Sequence, residues 1–165
     1  MNWIYSLAAA FGLMMITSAQ AQRTPEATHC RSDEVTVFTC PVGKKTVSLC
    51  ASPDRSFSSG SLQYRFGRIG AVELSYPEKP LPPREAFTGG LFGGHSYVRF
   101  TNAGATYTVY RYSWVGSQAD GLAVSRGGKK LFDVECPNFA DVDTKWWVAI
   151  DKDALPNDPD ETTIP

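Results

Sequence analysis

From Val35 onward the chain alternates apolar and polar residues with the two-residue period of half-buried strands. Val35–Cys40 and Lys45–Cys50 flank Pro41-Val42-Gly43-Lys44, which predicts a hairpin with Gly at its turn. In Ser61–Phe66 the residues Leu62, Tyr64 and Phe66 alternate with Gln63 and Arg65. Gly67–Gly70 then turns this strand into Val72–Tyr76, where Val72, Leu74 and Tyr76 share a face. His95–Phe100 and Thr106–Tyr112 predict a third hairpin about Asn102-Ala103-Gly104. Gly121–Ser125 and Lys130–Glu135 predict a fourth about Arg126-Gly127-Gly128. Eight locally paired strands imply an all-β fold, an antiparallel eight-stranded meander closing into a small barrel, because closure removes exposed edges; a β-sandwich is the alternative.

Three links between the hairpins are long: Ala51–Gly60, Pro77–Gly94 and Ser113–Asp120. Loops of this kind on a rigid β scaffold are where binding residues concentrate. Pro77–Gly94 divides into a stiff half with Pro77, Pro80, Pro82 and Pro83 and a permissive half with Gly89, Gly90, Gly93 and Gly94. Beyond Cys136, Trp146 and Ile150 lie four apart with Asp143 as a candidate N-cap, which predicts a short C-terminal helix, although Val148 and Ile150 also suit a ninth strand. Trp146 and Trp147 are expected to plug the barrel bottom. The β domain is thus expected over 35–150, after an arm at 22–34 and before a frayed, disordered acidic tail at 151–165.

The N-terminus changes the picture of compartment. Trp3–Ile16 is apolar apart from Tyr5, Ser6 and Gly12, and Ala19-Gln20-Ala21 supplies a small-x-small cleavage site. Residues 1–21 are therefore expected to be a signal peptide, too short for a comfortable membrane span, so the protein is read as periplasmic or secreted with no membrane anchor. All four cysteines (Cys30, Cys40, Cys50 and Cys136) follow that segment, and an even number in an exported chain reads as two disulfides. The preferred pairing of the three possible is Cys40–Cys136, joining the ends of two β-rich runs, with Cys30–Cys50 holding the arm; the other two stay open. Without a C-x-x-C pair, and with only His29 and His95 to add imidazole, no metal site is expected.

Charge argues by its distribution. A net charge of -1 and a pI near 6.1 speak against a nucleic-acid partner. Yet 151–165 holds five acids and one base, so the body 22–150 carries a balance of +3. Lys44, Lys45, Arg68, Lys129 and Lys130 all fall on hairpin turns, which a meander places at one end as a basic cluster able to attract an anionic polymer or an acidic cleft. Catalytic chemistry is harder to find. No nucleophile elbow, metalloprotease helix, phosphate loop or dinucleotide fingerprint is present. His95 and Ser96 are neighbours on a strand and point to opposite faces, so one cannot simply activate the other. The chain reads as a non-enzyme without cofactors, and as a monomer.

Phe38-Thr39-Cys40, the following Gly43-Lys44, the meander of short strands and the strand-ending Cys136 are similar to the periplasmic and membrane-bound inhibitors of c-type lysozyme. That resemblance implies a small exported eight-stranded barrel, often with a disulfide from the F-x-C strand to a Cys ending the last strand. It also implies a loop carrying S-G-x-x-Y that enters the lysozyme cleft. The corresponding stretch here is Gly93-Gly94-His95-Ser96-Tyr97, with Gly94 and Tyr97 kept and Gly93 in place of the leading Ser. The family's second signature, an aromatic stretch ending in Lys-Gly, has no counterpart around Ser113-Trp114-Val115-Gly116. The leading expectation is an exported, disulfide-stapled binding protein that inhibits a lysozyme-type cell-wall glycan hydrolase through residues 93–97. The alternatives are a cell-wall glycan binder stacking sugars on Trp114 with Tyr110 and Tyr112, or a structural envelope protein.

Overall fold

The computed structural model describes residues 27–115, 117–136, 144–150, 152 and 154–158. The expected signal peptide at 1–21 lies outside the described residues. Nine strands are formed: β1 (Val35–Val42), β2 (Lys45–Ala51), β3 (Leu62–Arg68), β4 (Ala71–Leu81), β5 (Thr88–Phe92), β6 (His95–Asn102), β7 (Ala105–Trp114), β8 (Ser117–Arg126) and β9 (Lys129–Glu135). Two helices join them, α1 (Pro83–Ala86) between β4 and β5 and α2 (Thr144–Ile150) after β9.

The strands form two antiparallel sheets, β1-β2-β3-β4 and β5-β6-β7-β8-β9, and no ladder joins them among the described residues. The expected closed barrel is therefore replaced by its alternative, a sandwich-like pair of sheets. The break falls where the sequence removes backbone donors. Pro77 and Pro80 lie in the second half of β4, and Pro82 and Pro83 follow it, so this stretch cannot sustain a ladder on both sides and β4 becomes an edge. Two further expectations change. β5 is a strand inside the Pro- and Gly-rich link read as a loop, and Ser113–Asp120 is the tight junction of β7 with β8, paired from Trp114↔Ser117 onward.

An aromatic cluster closes the space between the sheets. Phe100 of β6 stacks on Tyr76 of β4 (4.2 Å between centroids) and on Tyr107 of β7 (4.8 Å), and meets Tyr64 of β3 at 5.0 Å and Phe87 at 5.7 Å. Val37, Leu49, Leu62, Val98, Val109 and Leu122 fill the rest of this core. α2 buries Trp146, Trp147 and Ile150 in it, Trp146 stacking on Phe57 (4.9 Å) and Trp147 Nε1–H donating to the Val37 carbonyl (3.0 Å). The tryptophans thus cover β1 from a helix, the first of the two elements the sequence allows there.

The disulfides are Cys30–Cys50 and Cys40–Cys136, the second spanning 96 residues and tying β1 to the residue after β9. The described part of the arm lies across the face of the first sheet that turns away from the core. Ser48 meets Thr28 (3.2 Å) and accepts from the His29 amide (3.0 Å), while the His29 Nε2–H reaches the carbonyls of Thr46 and Gly67, each at 3.1 Å. Glu34 ends the arm on buried Arg65 in a bidentate pair, both contacts at 2.7 Å. Burial works to raise the Glu34 pKa, but the Arg65 and Arg31 hydrogen bonds and charges outweigh it and hold the carboxyl below its ordinary range.

The segment expected as a frayed tail is a correction in its described part. Leu155 is buried in the core, the Pro156 carbonyl accepts the Gly89 amide at 3.1 Å, and Asp158 pairs with buried Arg99. These contacts cover the outer edge of β5, which would otherwise offer unpaired backbone groups. Gly89 is required there, because a Cβ would sit 2.8 Å from Leu155 and 2.5 Å from the Tyr97 carbonyl.

Two outcomes follow for stability. Phe100→Ala should cost about 3–5 kcal/mol, the scale for a buried aromatic, in urea unfolding followed by near-UV circular dichroism. Replacing Cys40 and Cys136 together should cost about 4–5 kcal/mol, against about 3 kcal/mol for the shorter Cys30–Cys50 loop. Equal costs for the two bridges would contradict the loop-length argument.

Candidate functional site

The alternation of β6 sorts the expected site residues between two faces. Ser96, Val98 and Phe100 point into the core; His95, Tyr97 and Arg99 point to the outer face of the second sheet. Tyr97 is 1% exposed, packed with Tyr110 and Ala123 and lying 5.2 Å from the Arg99 guanidinium. Tyr97 thus packs within the outer face of a strand rather than standing on an exposed loop. Ser96 is buried as well, opposite Arg111. The side chain of Trp114 lies outside the described residues.

What remains of the expected loop is a hairpin tip. Gly93 and Gly94 form the β5–β6 turn with φ of +57° and +84°, a conformation that favours glycine. The Ser113 amide donates to the Gly94 carbonyl (3.3 Å), holding the β7–β8 turn beside it. Leu91 (56% exposed) and Phe92 (40%) end β5, pointing to opposite faces, and Val115 (94%) lies between β7 and β8. His95 lies just behind them, its ring 4.6 Å from Tyr112 and 6.0 Å from Tyr110. The tip is apolar, exposed and borne on a rigid sheet.

The basic cluster does not assemble as expected. Thr46 pairs with Gly67, so Lys44, Lys45 and Arg68 share one end of the first sheet, where Lys45 binds Glu73 (2.6 Å) and covers the Phe66 ring. Lys129 and Lys130 belong to the second sheet, on a turn that shares a cleft with α1. α1 follows the Leu81 end of β4, opposite the Arg68 turn. Splitting the meander into two sheets is what separates them.

Two polar groups carry the electrostatic interest. Tyr110 folds over Gly121, where a Cβ would lie 2.2 Å from its hydroxyl, and donates to Asp133 at 3.4 Å. Burial, then the charge of Asp133, pushes its phenol up to about 12. Asp120 is buried on the core face of β8. Its only described ionic neighbour is Arg111, at 3.6 Å, and neither carboxylate oxygen accepts a hydrogen bond among the described residues. Burial pushes Asp120 from an ordinary 3.8 to about 6, partly offset by the Arg111 charge.

A second concave feature opens on the other half of the same outer face. It measures about 950 Å³ and is lined by Arg99, Thr101, Thr106, Thr108, Ser125 and Asp158, among others.

No protein family, curated protein or solved structure matches this chain. Function must therefore be argued from these residues alone. No group of three or more His, Cys, Asp or Glu that would hold a metal ion occurs among the described residues, and no described helix is long and apolar enough to cross a membrane. Sequence reasoning missed Arg99 and Asp158, and it saw Asp120 only as one of four acids, with Glu73, Glu85 and Asp133, whose spacing showed no pairing. The first was readable as a charged residue on the face of β6 away from the core. Asp158 was hidden in an acidic, Pro-rich stretch that looked like solvent-exposed chain. Asp120 sat in a segment whose polar composition resembled a loop.

Glu34 and Asp120 give opposite pH dependences. Glu34, with its folded pKa lowered, stabilises the fold above its ordinary 4.5, and that contribution is lost as pH falls below this value. Asp120, with its folded pKa raised, favours the fold most when protonated, so its contribution grows as pH falls from about 6 towards 3.8. Asp120→Asn should raise the neutral-pH unfolding midpoint and remove the gain between those values, whereas Glu34→Gln should lower the midpoint and flatten the acid limb. Thermal melts across that range check both.

Proposed function

We propose that this protein is a non-catalytic binding protein of an extracytoplasmic compartment, which inserts the paired β5–β6 and β7–β8 tips into the cleft of a lysozyme-type cell-wall glycan hydrolase. Its two disulfides support an oxidising environment. The observation that carries the reading is the tip itself, with Leu91, Phe92 and Val115 exposed around Gly93 and Gly94. Scattered apolar side chains are ordinary on a surface, but here Leu91 and Phe92 at the end of β5 and Val115 beyond β7 all lie at one end of the second sheet. Glycine lets the backbone approach closely, and a tip locked by a β ladder loses little entropy on binding. His95 and Tyr112 behind the tip supply the polar groups that would meet a catalytic carboxylate. The F-x-C strand, Gly94 and Cys136 agree with the lysozyme-inhibitor resemblance, whose tyrosine role is not carried by Tyr97. An inhibitor acts by filling the cleft, so it needs no nucleophile, general base or cofactor of its own.

Titrating a c-type lysozyme with the oxidised chain should abolish turnover near stoichiometric amounts. Phe92→Ser and Leu91→Ser should each weaken inhibition roughly tenfold or more, the scale of an anchor residue, with unfolding curves unchanged. Tyr97→Ala should act differently, lowering stability. Full lysozyme activity at excess protein across c-, g- and i-type enzymes would sink the proposal.

A further inference from the structure

The cleft on the second sheet lies away from the tip and uses other residues. Its floor follows the strand register. Thr101, Thr106 and Ser125 stand opposite one another across β6, β7 and β8, and Arg99, Thr108 and Ala123 form the next row. Neighbouring strands lie about 4.8 Å apart, so the first row presents three hydroxyls at regular spacing, each able to donate and accept. Thr101 and Thr106 already lie within 3.4 Å of each other. In the second row Ala123 is the small member, and its missing bulk gives the cleft depth. Pro156 with Asp158 closes the β5 side.

The basic side chains that line this cleft are already engaged, and Glu85 adds a negative charge at its α1 side. Arg99 donates through Nε to Thr108 Oγ1 (2.9 Å) and pairs with Asp158, both side chains being almost wholly buried. Lys130 on the rim binds Asp133 (2.7 Å), and Arg84 donates to the Ala154 carbonyl (3.0 Å). Among the described residues a polyanion would find no uncommitted cluster of cations here, and an apolar ligand would have to strip water from the hydroxyl row without replacement bonds. Engaged cations and a row of three hydroxyls instead suit a ligand that offers many neutral donors and acceptors. The volume of about 950 Å³ is at the upper end for a ligand site and leaves room for more than one sugar ring.

We propose that this cleft is a carbohydrate-binding site for a neutral, hydroxyl-rich oligosaccharide, independent of the tip. Its test is amide chemical-shift mapping on the full oxidised chain, titrated separately with trimers of glucose, mannose and N-acetylglucosamine. A galacturonate trimer serves as the anionic arm and an extended neutral peptide as the protein-like arm. Saturable shifts from a neutral trimer at Thr101, Thr106, Thr108 and Ser125 are expected. Thr106→Val with Ser125→Ala should weaken them roughly tenfold, while Phe92→Ser leaves them unchanged. Ala123→Leu, which fills the floor, should abolish them. If that variant does not fold, the hydroxyl deletions decide alone. Sedimentation with insoluble peptidoglycan then separates a wall polymer from a free sugar as the source. Shifts from the galacturonate or the peptide alone, shifts confined to Leu91 and Phe92, or no saturation by any neutral trimer would each overturn the proposal.

Discussion

Two sheets that share no ladder depend on the side chains between them, and here those side chains converge on Phe100. Its ring is stacked from both sides, by Tyr76 of the first sheet and Tyr107 of its own, with Tyr64 and Phe87 completing the cluster. Aromatic pairs add offset-stacked and edge-on contacts to their large buried area. They can therefore do in a sandwich what hydrogen bonds do at the seam of a barrel. The neighbouring residues on β6 alternate to the other face, so the strand that anchors the core also lays out His95, Tyr97 and Arg99. Fixing Phe100 fixes the surface.

The edges follow from the same division. An open pair of sheets has four edge strands, and each is handled differently. β1 is covered by α2 through Trp147, and β5 by the segment around Pro156. β4 carries Pro77 and Pro80, while β9 exposes Lys129, Lys130 and Glu135. Proline and charge are the known ways of making an edge unattractive to another strand. Both tips and the hydroxyl-lined cleft lie on the five-stranded sheet, while the arm spreads over the outer face of the other.

Much of the architecture was legible because local pattern and final environment agreed. Leu62, Tyr64 and Phe66 read as a strand face and became one, and the preferred cysteine pairing is the one formed. The chain misled where tertiary pairing overrode composition. Thr88–Phe92 has two glycines and follows a run of prolines, yet β6 recruits it as a partner and Leu155 fills the space Gly89 leaves. Closure into a barrel was an inference from strand count, and strand count cannot show that β4 stops pairing. Tyr97 shows what a motif leaves open. A motif letter gives a residue type, but its face is set by register, and register turned Tyr97 into the packing beneath Arg99.

The spacing of the bridges has a temporal meaning. Synthesis runs from the N-terminus, so Cys30, Cys40 and Cys50 are made well before Cys136. Any two of the three can join across a short loop. What holds Cys30 beside Cys50 is the arm lying on Ser48, His29 lodged against Thr46 and Gly67, and Glu34 gripping Arg65. All of those partners lie before Arg68. The first sheet can thus select its own bridge and leave Cys40 as the single thiol facing the strands still to come, so the non-covalent fit of the arm acts as the proofreader of the covalent one.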